Sequence, residues 1–335
     1  MDLHGARRVA VLRPGRIGDY LCATPAVRAL RAMLPHARLD YIGLPLVRDL
    51  VERNPQVDRF VAFPGFPYLA EQFFEPRAAT RWLVAMQRER YDLAVQLYGS
   101  GVYANPVGLL LGAAYTAGFV RPEDGAHLLD AALPLPERGA EVDRALALVR
   151  HVGRVAGLGA TSPGAGRRYD LALTGADRAG AARALAGLPR PAIGWHIGAR
   201  EDRRRLDPAA CAEATTIVHK GHRGCAVLLG GAEEVPAAAA LARHLAGAGI
   251  PYRDLTGRLP LAETAAVTAA LDLLLTTDSG PAHLAYATGT RSVTVFLDSD
   301  PERWGPPSAG PHRVLDCRRA GTAELAAAIA AAGRV

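Results

Sequence analysis

Short apolar runs rich in β-forming residues alternate with Ala-, Leu- and Arg-rich segments of helical period, and this alternation restricts the chain to an α/β protein with parallel sheets. RRVAVL, RLDYIGL, RFVAFP and YDLAVQLY read as buried strands of a first sheet, with helices such as 24–33 between them. From about Pro191 the pattern restarts: PAIGWHIG, CAVLLGG, YRDLTG, LDLLLTT and SVTVFL read as strands, and 208–219, 235–246, 261–270 and 281–288 as helices. Between the two sets lies GLGATSPGAGRRYDL, 157–171, dense in Gly, Ser and Pro, which reads as a linker. The pattern therefore predicts two Rossmann-like domains, 1–160 and 172–335, facing an interdomain cleft, with a closing C-terminal helix over 322–333 capped by Thr322. A chain of 335 residues suits two such cores.

Half the residues are hydrophobic and 21% are charged, the balance of a globular protein. The formal charge is +6, yet of the 39 basic residues only Lys220 is lysine, so an arginine here can stand where relatives carry lysine. This surplus permits an anionic substrate or an acidic membrane surface, but no basic block interleaved with aromatics points to nucleic acid. Cys22, Cys211, Cys225 and Cys317 show neither C-x-x-C pairing nor a His partner at metal-ligand spacing, which predicts a reduced cytoplasmic protein. The apolar run near the N-terminus is too short for a signal peptide, and the uncharged stretch 93–120 is broken by Gly99, Gly101, Pro106 and Gly108, so no membrane span is expected.

In LDLLLTTDSGPAHLAYATGT an apolar strand runs directly into Asp278-Ser279-Gly280-Pro281 and then a helix. Pro281 suits the first helical position, where its missing N–H is not needed, and Gly280 lets the backbone approach a ligand. The helix N-terminus then faces the carboxyl edge of the sheet, where phosphates bind in such folds. From these residues alone two readings stand, a phosphate site or a helix merely capped by Asp278 and Ser279. A carboxylate beside phosphate would repel it, so Asp278 suits backbone N–H groups or sugar hydroxyls. His283, one turn on, is either a donor to a phosphate oxygen or a packed structural residue.

The N-terminal RVAVLRPGRIGDYLCATPAVRAL repeats strand, glycine turn and helix. Gly15 and Gly18 lack the G-x-G-x-x-G spacing of dinucleotide folds, which argues against NAD. Asp19, on a tight turn at the edge of the sheet, reads either as a base that takes a proton from an acceptor hydroxyl or as a turn residue.

Together these turns resemble the heptosyltransferase-like glycosyltransferase family 9, whose best-known members add ADP-activated heptose to the inner core of lipopolysaccharide. VAVLRPGRIGDYLCATP, LYGSGVYANPVGLLLGAAYTAGF, IGWHIGAREDRRRLDP, VLLGGAEE and DSGPAHLAYATGTRSVTVFLDSDPERWGPP carry the likeness along almost the whole chain. The resemblance implies a GT-B fold and inverting, metal-independent transfer, with no cofactor beyond a nucleotide-sugar co-substrate, ADP-linked in those members. It places the catalytic base on Asp19, beside Gly15 and Gly18 on the acceptor-side turn. The diphosphate-binding turn falls on Asp278, Ser279, Gly280 and Pro281, followed by His283, and the ribose-contacting acid on Glu234 or its neighbour Glu233. The donor set includes Gly198, after which the family's basic residue before Trp-Pro is replaced by Arg203-Arg204-Arg205-Leu206-Asp207-Pro208. Arg204 is the favoured heir, since arginine can clamp a diphosphate; the other reading of the run is a solvated loop paired with Glu201 and Asp202.

The expected reaction is an in-line displacement across the cleft, with a nucleotide-sugar donor on the second domain and a glycan, glycolipid or small-molecule acceptor on the first. The helix N-terminus at Gly280 and Arg203 to Arg205 would stabilise the leaving diphosphate, and closure about 157–171 would exclude water. A sugar-nucleotide epimerase of the same architecture and a non-catalytic nucleotide-sugar-binding module are the alternatives. The mild basicity suits a phosphorylated lipid acceptor reached peripherally at the inner face of the cytoplasmic membrane, and equally a soluble acceptor.

Overall fold

Six parallel strands form the first sheet: β1 (Arg8–Leu12), β2 (Arg38–Gly43), β3 (Arg59–Ala62), β4 (Leu93–Gln96), β5 (Tyr115–Val120) and β6 (Ala131–Pro134), in the order β3-β2-β1-β4-β5-β6. Helices α1 (Ile17–Met33), α2 (Arg48–Val51), α3 (Pro76–Arg88), α4 (Ala104–Leu110) and α5 (Glu141–Val155) connect and cover them. This computed structural model describes residues 1–69, 72–121, 128–158, 166–199, 201–220 and 224–319, with single positions 324, 327, 329 and 331. The chain divides into unit 1, Met1–Ala172, and unit 2, Leu173–Val335.

The four strands read from the sequence are β1 to β4, and β5 and β6 extend the sheet beyond them. β5 lies inside the uncharged stretch 93–120, where Gly118 interrupts the apolar run because a Cβ there would sit 2.6 Å from Oδ1 of Asn105. The first helix starts at Ile17 and not at Thr24, so that Pro25 lies within it. A mid-helix proline cannot donate to the carbonyl four residues back. The Thr24 hydroxyl takes that place, donating to the Leu21 carbonyl at 2.8 Å, and accepts the Asp170 N–H at 2.9 Å. Residues 166–170 of the expected linker are tied to unit 1 in this way, and also through Arg167–Asp143 at 2.5 Å and Tyr169 Oη to Cys22 Sγ at 3.1 Å. Residues 159–165 lie outside the described residues.

Unit 2 repeats the winding with β7 (Ala192–His196), β8 (Cys225–Leu228), β9 (Tyr252–Asp254), β10 (Leu273–Thr277), β11 (Ser292–Phe296) and β12 (His312–Asp316), ordered β12-β11-β10-β7-β8-β9 and all parallel. Its helices are α6 (Gly175–Ala184), α7 (Pro208–Lys220), α8 (Val235–Gly247), α9 (Leu261–Ala270), α10 (Gly280–Thr288) and α11 (Pro301–Trp304). Ile193, Trp195, Leu273 and Leu275 pack into one core, while Ala192 and Leu274 pack into a second. Both faces of the sheet are thus covered, and the strands read as continuous apolar runs. β12 is absent from the sequence reading because HRVLD is an edge strand with mostly exposed side chains. Of the predicted C-terminal helix only four positions are described; they are helical, and Ile329 is buried in the core with Trp195. Thr322 lies outside the described residues.

In each sheet the winding reverses beside the unit's first strand, between β1 and β4 and between β7 and β10. Loops at the carboxyl ends of those strand pairs open a crevice where doubly wound sheets hold ligands. Among the described residues no helix is long and apolar enough to cross a membrane.

Candidate functional site

The turn after β10 lies at the switch point of unit 2. Thr277 anchors it by donating to the Gly198 carbonyl at 2.7 Å, which joins the loop after β7 to the loop after β10. Asp278 is buried, and its N–H continues the ladder to the Val295 carbonyl at 3.0 Å. Among the described residues no backbone N–H reaches its carboxylate, contrary to the expectation from sequence; it takes Nη2 of Arg204 at 2.7 Å and the hydroxyl of Ser299. Arg204 also donates to the Asp278 carbonyl. Ser279 is the N-cap of α10, Gly280 its first residue and Pro281 its second, one position later than the sequence suggested. His283 is buried, with Nε2 3.9 Å from Asp278 Oδ1 and its ring edge-on to Tyr286 and Trp304.

The three adjacent arginines separate by geometry. Arg203 is 67% exposed and pairs with Glu201 at 2.7 Å and Asp298 at 3.2 Å. Arg205 pairs with Asp202 at 2.8 Å and donates to the Ala199 carbonyl at 2.8 Å. The solvated-loop reading therefore describes these two, while Arg204, 28% exposed, turns inward to Asp278. Gly198 is bare for a reason visible nearby: a Cβ there would lie 2.2 Å from Cγ of Glu234. Glu234 in turn accepts the Gly231 N–H. The structure thus gathers Gly198, Arg204, Glu234, Asp278, Ser279, Gly280, Pro281 and His283 on adjoining carboxyl-edge loops.

Sequence reasoning missed His196 and Thr276, which lie beneath this turn. His196 Nδ1 is 3.2 Å from Ser279 Oγ and 3.3 Å from Thr276 Oγ1. Burial pushes the imidazole down to about 4, so it is neutral near pH 7 and holds the Ser279 hydroxyl without adding charge. His196 was visible in IGWHIG, but a histidine inside a buried strand gives no sign of which loop it meets.

In unit 1 the turn after β1 also occupies a switch point. Because α1 starts at Ile17, Asp19 sits in its first turn, at the positive end of the helix dipole. Asp19 Oδ2 accepts the Arg16 N–H at 3.0 Å, the return half of a capping box. Gly15 must be bare, since a Cβ would sit 2.4 Å from Cβ of Asp19. Gly18 lies in the same first helical turn, half-buried. Asp19 Oδ1 pairs at 3.0 Å with Nη2 of Arg13, a guanidinium buried to 2% exposure, and the same nitrogen is 2.9 Å from Glu141 Oε1. Nη1 of Arg13 donates to the Leu97 carbonyl. Burial works against the Arg13 charge, but Glu141 and Asp19 more than offset it and hold the group above the ordinary arginine range. Arg13 stands in the quoted VLRPGRIGD, whereas Glu141 belongs to no motif and is brought in by the fold alone. Among the described residues no three His, Cys, Asp or Glu side chains group as a metal set.

Two doubly wound parallel sheets, each with an equipped turn at its switch point, define a GT-B glycosyltransferase architecture. A family model described as glycosyltransferase family 9 (heptosyltransferase) matches residues 80–322, and the chain belongs to that family. It is a glycosyltransferase that moves a sugar from a nucleotide sugar. The match contains every residue of the unit 2 turn cluster discussed above and begins after the Gly15–Asp19 turn. Solved structures of the same fold include a family 9 glycosyltransferase from Veillonella parvula, 20% identical, with a TM-score of 0.77 over 94% of this chain and 87% of that one. The ADP-heptose LPS heptosyltransferase II of E. coli is 22% identical, with a TM-score of 0.76 over 97% of this chain and 98% of that one. The E. coli heptosyltransferase WaaC with ADP is 18% identical, with a TM-score of 0.68 over 96% and 97%. Among curated proteins none matches significantly.

Proposed function

We propose that the chain is an inverting heptosyltransferase in which unit 2 holds the diphosphate of ADP-heptose at the N-terminus of α10 and Asp19 of unit 1 is the general base. The acceptor hydroxyl gives its proton to Asp19, its oxygen bonds to the anomeric carbon, and the bond from that carbon to the diphosphate oxygen breaks with inversion. The nucleoside diphosphate leaves with the electron pair. Arg204 and the first turn of α10 supply positive charge to it, Glu234 meets the ribose, and Gly198 leaves room between them. The observation that carries this reading is Asp19 itself: a carboxylate held on two sides, by Arg16 N–H and Arg13, yet 25% exposed at a switch point. The donor class follows the family's description as heptosyltransferases, supported by the two E. coli enzymes of like fold whose names carry ADP-heptose or ADP. The acceptor is a glycan, glycolipid or small molecule, met in the cytoplasm or at the inner face of the cytoplasmic membrane; nucleic acid is no partner.

Incubation with ADP-heptose and a lipopolysaccharide-core acceptor tests this. Asp19→Asn should lower kcat by about 10²- to 10⁴-fold while folding and donor binding persist. Retention of most activity sinks the base assignment, and release of an altered nucleotide sugar without acceptor would show an epimerase instead.

A further inference from the structure

We propose that Glu141 is a positioning residue for Asp19, sharing the Arg13 guanidinium so that the Asp19 carboxylate remains able to take a proton. The proposal rests on Asp19 as the base. A buried cation at hydrogen-bond distance from a lone carboxylate stabilises its ionised form and so weakens it as a base. Here one nitrogen, Nη2 of Arg13, faces two carboxylates, Asp19 at 3.0 Å and Glu141 at 2.9 Å. Only 6% of the Glu141 side chain is exposed, so water screens its charge little, and it acts as the internal counter-ion. Asp19, on the open side, is left as the working carboxylate. Arg144 stands 3.5 Å from the other oxygen of Glu141, so the cluster holds two cations and two carboxylates.

Beside this cluster the described neighbours of Asp19 are one further cation, Arg16, which both variants below retain, and three neutral side chains. From the N-cap of its helix comes Arg16, from the helix itself Tyr20 and Cys22, and from β2 Tyr41, packed edge-on to Tyr20 at 5.4 Å. Burial pushes the Cys22 thiol and the Tyr20 and Tyr41 hydroxyls up, so all three stay protonated. Arg13, in the turn after β1, and Glu141 and Arg144, on α5, are therefore the buried ionised groups at Asp19, with Arg16 the cation at the start of its own helix. Glu141→Gln keeps the size and one acceptor oxygen at this position while deleting the negative charge. Arg144→Gln deletes the opposing positive charge. The two substitutions must act in opposite directions if charge is what Glu141 contributes.

The test uses the full-length enzyme with two readouts: the pH profile of kcat/KM for transfer, and the titration of the Asp19 carboxyl carbon followed by NMR in the free protein. Glu141→Gln should move the Asp19 midpoint down by about one pH unit and lower kcat roughly three- to tenfold, with donor KM unchanged. Arg144→Gln should move the midpoint up. A midpoint that stays put in Glu141→Gln while kcat falls overturns the proposal, because a purely structural role would do that. If Glu141→Gln does not fold, Arg144→Gln decides alone, and absence of an upward shift overturns it. Full activity in Asp19→Asn would instead fell the base assignment, an outcome separable from these because the NMR midpoints report the charge coupling without turnover.

Discussion

Arg204 and Gly198 show how single positions in the carboxyl-edge loops of unit 2 depend on what lies over them. Arg204 places one nitrogen on both the carboxylate and the carbonyl of Asp278, so Arg204→Ala removes one of the two ties between the loop after β7 and the turn after β10, the other being Thr277 to Gly198. It is expected to raise the Kd for ADP about ten- to a hundredfold by calorimetry, whereas Arg203→Ala and Arg205→Ala stay within about threefold because their charge partners are exposed acids. Gly198→Ala would drive a methyl group to 2.2 Å from Glu234 and displace that side chain, costing about 1–3 kcal/mol of stability together with nucleotide affinity. His196 adds a pH term. Its folded-state value of about 4 lies below the unfolded value, so its contribution is full above about pH 6.5 and is lost as pH falls toward 4. Urea unfolding at pH 7 and pH 4 should differ by a component of up to about 3 kcal/mol that His196→Asn lacks. The glycines and the Asp-Ser-Gly-Pro turn were readable because only a few residue types tolerate those positions. Glu141 and Thr276 were not, because a buried acid or hydroxyl is chosen by a partner distant in sequence, 128 residues away for Arg13 and Glu141.

Among the elements, α1 is the one whose boundary carries consequences. Its sequence contains a proline that argues for a later start, and the chain keeps the helix by giving the orphaned Leu21 carbonyl to Thr24. Thr24 is fully buried and also receives Asp170, so Thr24→Val should cost about 2–4 kcal/mol in chemical unfolding by stranding a carbonyl and an N–H together. Thr24→Ser should recover most of that. Interior strands such as β7 and β10 were readable as unbroken apolar runs since both of their faces are covered. β6, which ends on a proline, and the exposed β12 are outermost in their sheets. Pairing on one side and partial exposure relax the demand for apolar residues, and the signal fades there.

At the scale of the molecule, the alternation of strand and helix fixed the class of fold, but strand order depends on how each sheet winds and has no local signature in sequence. Once wound, both sheets reverse direction beside their first strands, and both signature turns land at those reversals. Hydrogen exchange should therefore show ADP protecting the amides near 196–204, 230–234 and 278–284 while leaving 13–19 unchanged; protection at 13–19 alone would reverse the assignment of donor and acceptor sides. The near-absence of lysine has a consequence of its own. Over most of a protein surface, lysine and arginine exchange with little effect. Arg13 spends its fork on Leu97, Asp19 and Glu141, and Arg59 spends its own on Asp40, Glu89 and Tyr91. A single ammonium at either place could not reproduce that set of directions. The arginine bias of this chain thus behaves as a ratchet: reversible where side chains meet water, and closed to return wherever the fold has come to use both terminal nitrogens of the guanidinium.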